Sequence, residues 1–213
     1  MKKTLRRCLL PLMLVCSGMA EATLLNPDFS QGLDHWQAAV SWTDLQNGTS
    51  GQHSGDIFGQ YTTAFSHNGA TLTLSTVQQQ QREIWSLVLF QDLQLGPVAS
   101  GQALWLQLDL LAMLSSADDF YFAQLRDLDS NDALDLSSGG RFEVTAWIGR
   151  NLTLEFGLQD NDFVLGDQLQ LSALELQSTA VPAPASLVLF TTALLLLWRR
   201  QRHLACAGGK HHV

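Results

Sequence analysis

The central part of the chain, residues 23–180, contains no cysteine and no lysine, because the three cysteines are Cys8, Cys16 and Cys206. This absence excludes an internal disulfide and any cysteine-ligated zinc or iron–sulfur site there. The same part holds 19 acidic residues against four arginines, a net charge of −15. Phosphate recognition needs lysine and arginine, so we expect no nucleic-acid partner.

Motifs of common catalytic machinery are also missing. His35, His53 and His67 are not spaced as an HExxH zinc site, and no GxSxG, P-loop or dinucleotide-binding fingerprint occurs. A glycoside hydrolase needs only two placed carboxylates, and nothing singles out such a pair. We therefore expect a non-catalytic protein, with a glycoside hydrolase as the less favoured alternative.

The first 22 residues have the pattern of a secretory signal peptide. Basic residues at 2–7 precede an apolar run at 8–18, and Ala20-Glu21-Ala22 fits the small-x-small cleavage rule. An apolar run of this length is too short to span a bilayer, which needs about 20 residues. The pattern predicts export, and a lipoprotein signal with Cys16 as the lipidated residue is the alternative.

The other end of the chain has three parts in a fixed order. A linker at 178–184 ends in Val181-Pro182-Ala183-Pro184, an apolar helix is predicted at 185–198, and a basic tail at 199–213 begins with Arg199, Arg200 and Arg202. A helix over the apolar residues 185–198 would be about 21 Å long, which is short for a hydrocarbon core of about 30 Å. The arginines would stay on the cytoplasmic side, which places residues 23–177 outside the cytoplasm.

This order of parts resembles the PEP-CTERM sorting signal of Gram-negative bacteria, with Ala183 standing where family members carry Glu. The resemblance implies an exosortase-type processing enzyme as a partner. It also implies attachment to the membrane through the C-terminal helix, followed by a place at the cell surface or in the extracellular matrix. An ordinary short tail anchor is the alternative.

Alternating apolar and polar residues predict an all-β domain over residues 23–177. The clearest strands are 70–76, 103–111, 151–159 and 168–176, the last with a bulge near Ala173 where its apolar phase shifts. Shorter candidates are 57–61, 83–91, 119–125 and 141–147. Turn signals such as Asn68-Gly69 and Gly96-Pro97 separate them, and short strands at this spacing favour a β-sandwich.

Both edges of this domain resemble galactose-binding-like jelly rolls. The opening Asn26-Pro27-Asp28-Phe29, followed by Gly32-Leu33-Asp34-His35-Trp36, is similar to the N-G-D-F-E and G-x-x-x-W pattern of that family. The closing segments 147–156, 160–162 and 169–176 are similar to its final glycine turn, strand, acidic loop and last strand. The resemblance implies a jelly-roll-type sandwich and, among the functions of that fold, carbohydrate binding.

Two acidic segments are candidate calcium sites. Asp127, Asp129 and Asn131 place oxygen ligands at alternate positions, as in the first half of a calcium loop, and Asp135 follows. Asp160, Asn161, Asp162 and Asp167 form a second acidic loop. The alternative for each segment is a solvated loop without metal. Calcium at millimolar concentration outside the cell can occupy even a weak site.

Five tryptophans lie in the central domain. Trp36 and Trp147 belong to motifs whose aromatic residues close the sandwich, so we expect them to pack in the core. Trp105 faces away from the Leu104–Leu110 row, and Trp42 lies in a loop-rich stretch. These two are the candidates for stacking on the sugar rings of an envelope polysaccharide. The expected protein is thus an exported, non-catalytic matrix component, with a carbohydrate-binding module as its alternative.

Overall fold

The computed structural model describes residues 24–181, and residues 1–23, with the predicted signal peptide at 1–22, and residues from 182 onward lie outside that part. The described part contains twelve β-strands and one short 3₁₀ helix, Thr145–Trp147. The strands are β1 Gln37–Asp44, β2 Ser50–Gly55, β3 Phe65–Asn68, β4 Thr71–Ser75, β5 Val77–Gln79, β6 Arg82–Gln94, β7 Gln102–Met113, β8 Phe120–Asp127, β9 Ala133–Asp135, β10 Gly140–Glu143, β11 Asn151–Gln159 and β12 Gln168–Ala180.

These strands form two antiparallel sheets packed as a sandwich, which confirms the predicted fold class. The seven-stranded sheet has the order β2-β1-β6-β11-β8-β9, with β5 also paired to β6, and the five-stranded sheet has the order β10-β7-β12-β4-β3. Four pairings join consecutive strands, β1–β2, β3–β4, β5–β6 and β8–β9, and the other six join strands that are distant in sequence. At one edge, β2 of the first sheet faces β3 of the second.

The core follows the predicted alternation. Leu72 and Leu74 of β4 are fully buried, as are Leu108 of β7 and Leu154 and Phe156 of β11. Because successive side chains of a strand point to opposite faces, each sheet turns one apolar row towards the other. Truncation of one such leucine to alanine typically costs about 2–5 kcal/mol of unfolding free energy.

The predicted bulge in β12 is confirmed, whereas the strand predicted at 57–61 is wrong. The pairing of β12 with β7 shifts register between Ser172 and Glu175, and Ala173 has φ of +51°, which is the expected bulge. Residues 57–61, predicted as a strand, form turns in which the Gln60 N–H donates to the Ile57 carbonyl. Ile57 and Tyr61 are both buried, and two residues four apart share one face of a helical turn as well as of a strand, so their spacing alone does not distinguish the two.

The opening segment folds into a turn that covers one end of the core. The Asn26 side chain donates to the Gly32 and Asp34 carbonyls, at 2.9 and 3.2 Å, and accepts the Gln31 N–H. Trp36 is only 3 % exposed, as predicted, and its ring centroid lies 6.2 Å from that of Phe156. The conformation of residues 26–36 therefore depends on side-chain hydrogen bonds more than on regular structure.

A buried glutamine fixes this turn to the seven-stranded sheet. Gln91 of β6 is 3 % exposed, and its Oε1 accepts the Leu25 N–H at 2.8 Å. Its Nε2 donates to the carbonyls of Leu25 and His35, at 2.9 and 3.1 Å. One amide thus satisfies three backbone groups of Leu25 and His35, and a buried polar group that loses its hydrogen-bond partner typically costs about 1–3 kcal/mol.

Replacement of this amide should destabilise the fold. We expect Gln91→Leu to lower the free energy of unfolding by about 2–4 kcal/mol, since the leucine fills the space but leaves the backbone groups unpaired. Urea unfolding of the full chain measures the change. Gln94→Leu on the same strand is the control, because Gln94 is exposed. Equal effects of the two substitutions would contradict the role given to Gln91.

Candidate metal centre

Three aspartates from two loops meet at one end of the sandwich. Asp119 lies directly before β8, Asp160 directly after β11, and Asp167 directly before β12. One carboxylate oxygen of each lies within 4.8 Å of the other two. The residues are 5, 1 and 0 % exposed, respectively, so three acidic groups are held together away from water. We call them the three-aspartate cluster.

The pairing of strands brings these residues together. β8 and β11 are antiparallel neighbours in which Phe120 pairs with Gln159, so Asp119 and Asp160 leave the seven-stranded sheet side by side. Asp167 enters from the other sheet, as the residue before β12. The cluster therefore joins the two layers of the sandwich at the point where their strands end.

Asp119 is held by the loop that leads into β8. Its Oδ1 accepts the Asn161 N–H at 2.8 Å, and its Oδ2 accepts the Ser116 N–H and the Ser115 hydroxyl, both at 3.0 Å. The hydrogen bond from the Asn161 N–H lowers the pKa of Asp119, with those from Ser116 and Ser115 adding to it. This carboxyl group is therefore ionised in the fold.

Asp167 is held by a buried threonine. Its Oδ1 accepts the Ser115 N–H at 2.5 Å, and its Oδ2 accepts the Thr76 hydroxyl at 3.4 Å. The Thr76 oxygen in turn accepts the N–H groups of Gly166 and Asp167, at 3.1 and 3.0 Å. The loops that follow β4, β7 and β11 are therefore fastened to one another at the cluster.

Asp160 is the member of the cluster whose carboxylate has an oxygen without a hydrogen-bond partner. Its Oδ1 accepts the N–H groups of Phe163 and Asp162, at 2.6 and 3.1 Å, whereas its Oδ2 is buried and has no hydrogen-bond partner. Burial raises the pKa of Asp160, and the negative charges of Asp167 and Asp119 raise it further. A positive charge stabilises a buried carboxylate that has an unpaired oxygen and two carboxylates beside it, so this environment favours cation binding.

The protein supplies no counter-charge to the cluster within residues 24–181. The ion pairs there join Arg126 to Glu155, and Arg150 to Asp127 and Asp132. Carboxylate oxygens without sulfur or imidazole ligands fit a hard cation, and Ca²⁺ takes 6–8 oxygens at about 2.3–2.6 Å in flexible geometry. The three-aspartate cluster could thus hold a metal ion through carboxylate oxygens, one of which has no hydrogen-bond partner.

The acidic segment from Asp127 to Asp135 forms the turn between β8 and β9. Asp127 accepts the Asp129 and Ser130 N–H groups at 2.9 and 3.3 Å and pairs with Arg150 at 3.2 Å. The hydrogen bond from the Asp129 N–H is the main cause of the lowered pKa of Asp127. Both oxygens of this carboxylate are therefore used by the protein itself.

The other predicted ligands of this turn point to separate partners. Asp129 accepts the Asn151 amide at 3.0 Å, Asp135 accepts the Ser137 N–H at 2.8 Å, and Asn131 has φ of +62°. Asp127, Asp129 and Asp135 do not bring three carboxylate oxygens within 4.8 Å of one another. The turn has the geometry of a hydrogen-bonded hairpin, and calcium binding there stays a prediction.

The second acidic loop contributes two of its four candidates to the cluster. Asp160 and Asp167 are members, whereas Asn161 donates its amide to the Asp118 carbonyl and Asp162 accepts the Val164 N–H at 2.8 Å. The sequence analysis missed Asp119, which is 41 residues from Asp160 in the chain. Only the pairing of the strand after Asp119 with the strand before Asp160 would have revealed it.

Trp42 and Trp105 are half-buried, and an arginine covers each. The Arg82 guanidinium carbon lies 4.0 Å from the Trp42 ring centroid, and that of Arg141 lies 4.3 Å from the Trp105 ring centroid. Trp42 also packs against Gly51, where a Cβ would lie 2.4 Å from the ring. Cations thus already occupy faces that sugar stacking would use, and a ligand role for these two residues stays a prediction.

The sorting motif is represented in the structure by its first residue alone. Val181 is 53 % exposed, and its N–H donates to the Gly101 carbonyl at 2.8 Å. Pro182, Ala183, Pro184, Arg199, Arg200 and Arg202 lie outside the described residues, as does the predicted apolar helix at 185–198. Within residues 24–181, no helix is long and apolar enough to cross a membrane.

Comparison with known proteins adds no further constraint on function. No protein-family model matches the chain, and no curated protein matches it either. The fold class and the three-aspartate cluster are accordingly the observations from which a function is argued.

The unpaired oxygen of Asp160 should lower the stability of the metal-free protein. Asp160→Asn removes one buried charge and places an amide donor beside two carboxylates, so we expect the free energy of unfolding in EDTA to rise by about 1 kcal/mol or more. Urea unfolding of the full chain measures it. Asp162→Asn is the control, because Asp162 is exposed on the same loop.

The same variant should change the pH dependence. Because the pKa of Asp160 is raised in the fold, the folded chain holds a proton that the unfolded chain has lost, and stability falls as pH rises through that window. In EDTA, the wild-type chain should therefore lose stability relative to Asp160→Asn as pH rises from about 4. A difference that is independent of pH would contradict the assignment.

Proposed function

We propose that this protein is an exported, non-catalytic component of the cell envelope whose β-sandwich is stabilised by Ca²⁺ at the three-aspartate cluster. The observation that carries the calcium part is the buried Asp160 Oδ2, which has no partner and lies beside Asp119 and Asp167. The exported location rests on the signal-peptide pattern at 1–22, and the envelope location on the C-terminal sorting pattern.

The burial of the cluster supports a structural role for the cation. A catalytic metal keeps an open coordination position for water or substrate, whereas Asp119, Asp160 and Asp167 are all at most 5 % exposed. Two carboxylates that flank an open cleft are what a glycoside hydrolase requires, and this closed arrangement does not favour that alternative. A cation here would fasten loops of the two sheets to each other.

Charge and location make calcium effective as a stabiliser. Residues 23–180 carry a net charge of −15, which opposes compaction. A cation bound only by the folded state adds RT ln(1 + [L]/Kd), or about 1.4 kcal/mol at 10 times Kd. Sites in extracellular modules typically have Kd values of about 10⁻⁴–10⁻³ M, so the cluster would fill after export.

The C-terminal pattern supports a sorted, surface-associated protein. β12 runs to Ala180, so the first three residues of the predicted linker at 178–184 belong to the sandwich, and Val181 after them is exposed. The predicted helix at 185–198 would then hold the domain at the membrane until an exosortase-type enzyme processes the tail.

Calcium should raise the stability of the protein through the cluster. We expect the full chain to melt roughly 1–5 °C higher in millimolar Ca²⁺ than in EDTA. Asp119→Asn and Asp160→Asn should lose this shift, because each removes a charged ligand. Circular dichroism during heating measures the midpoints, and Mg²⁺ at equal concentration tests selectivity.

Asp129→Asn and Asp135→Asn serve as matched controls from the β8–β9 turn and should keep the shift. The reverse pattern would move the calcium site to that turn. No calcium shift in the wild-type chain would refute the calcium part of the proposal and leave the sorting part untouched.

The C-terminal segment should determine where the protein is found. A chain ended after Val181 keeps every described residue, and we expect it in the soluble periplasmic or extracellular fraction, whereas the full chain fractionates with membranes. Replacement of Arg199, Arg200 and Arg202 by glutamine should abolish processing, seen as loss of the shortened product by mass spectrometry. An unchanged, never-shortened chain in both forms would indicate an ordinary anchor.

A further inference from the structure

The sandwich has an open cleft that shares no residue with the three-aspartate cluster. It has a volume of about 830 Å³ and lies at the edge where β2 and β3 face each other. Three segments line it: residues 33–37 of the opening turn, residues 55–62 after β2, and residues 65–67 of β3. Pockets for small ligands usually measure about 300–1,000 Å³.

The floor of the cleft is apolar and rigid. Trp36 and Phe65 are 3 and 4 % exposed, and Phe58 packs edge-on against Phe65 with ring centroids 5.3 Å apart. His35 is held at φ of +73°, a left-handed conformation uncommon outside glycine, and Gln91 binds its carbonyl. The cleft wall is thus fixed by the same amide that orders the opening turn.

The rim of the cleft consists of exposed polar side chains. Within residues 24–181, none of the rim side chains takes part in a hydrogen bond or an ion pair, whereas exposed polar groups elsewhere often do. These rim residues are Asp34, His35, Gln37, Asp56, Thr62, Ser66 and His67. An apolar floor with free, convergent polar groups is the usual composition of a ligand site.

The charges of the cleft restrict its ligand. No lysine or arginine lines it, and Asp34 and Asp56 add negative charge, so phosphates, sulfates and uronates are disfavoured. A simple cation would bind the carboxylates alone and make no use of the amide of Gln37 or of the hydroxyl groups of Thr62 and Ser66. A neutral polyhydroxylated ring offers donors and acceptors on its edge and apolar C–H groups on its faces, and so matches both rim and floor.

We propose that this cleft binds a neutral saccharide unit. Asp34 and Asp56 accept hydrogen bonds from its hydroxyl groups, and Phe58 contacts an apolar face of the sugar. This places the carbohydrate site at the β2–β3 edge and not at Trp42 or Trp105. The inference is independent of calcium binding, because the cluster and the cleft have no residue in common.

The test uses matched neutral and anionic sugars on the full chain in saturating Ca²⁺. Isothermal titration calorimetry with methyl glucoside, methyl galactoside and N-acetylglucosamine oligomers should give millimolar or tighter binding by at least one of them. Glucuronate and galacturonate, which differ by a carboxylate, should bind at least tenfold more weakly. No binding of any neutral probe, or equal binding of the uronates, would overturn the proposal.

Substitutions then locate the site. Asp34→Ala or Asp56→Ala should weaken binding about tenfold, the loss expected for a hydrogen bond to a charged group. Gly59→Phe should block the cleft, since a Cβ at Gly59 meets no atom within 4 Å and the ring can enter the open space. Asp109→Ala on the exposed face of β7 is the control and should bind normally.

Two outcomes would place the sugar elsewhere. Binding that survives Gly59→Phe, or that is lost in Trp42→Ala or Trp105→Ala but kept in the cleft variants, would overturn the assignment. Urea unfolding of each variant separates lost binding from lost folding. Wild-type binding should survive EDTA treatment, because the cleft and the three-aspartate cluster share no residue, and loss of binding in EDTA would overturn that independence.

Discussion

The concentration of negative charge at the end of the sandwich is the constraint on which the structure depends. Asp119, Asp160 and Asp167 are buried together, and their hydrogen bonds to Ser115, Thr76 and loop N–H groups hold the two sheets at that end. Like charges at this distance repel strongly in a medium of low polarity. A cation bound there would offset this repulsion and link the two sheets, which is the role proposed for calcium.

The opening turn at 26–36 is held by neutral amide side chains and not by charged groups. The opening turn is not a strand, so its backbone groups need partners, and Gln91 and Asn26 provide them from side chains. A neutral amide suits this task because it donates and accepts without a buried charge. The same turn forms a wall of the β2–β3 cleft, so the rigidity of that cleft derives from Gln91.

The fold could be predicted from the sequence to the extent that it depends on local periodicity. The leucine rows of β4, β7 and β11 and the bulge at Ala173 follow directly from alternation. Residues 57–61 were assigned wrongly, because an apolar pair four residues apart, Ile57 and Tyr61, closes a turn and is easily mistaken for a strand. Two of the three cluster members were found as an acidic loop, and Asp119 was not.

The sequence by itself determined the all-β sandwich, the surplus of acid, and the two ends that read as export and sorting signals, since composition and periodicity are local properties. Only the tertiary structure decided which carboxylates are buried together and which are satisfied on a hairpin. Asp127 and Asp160 look alike in the chain, yet one meets Arg150 and the other has an unpaired oxygen. Strand pairing across tens of residues sets that difference, because it alone brings Asp119 beside Asp160.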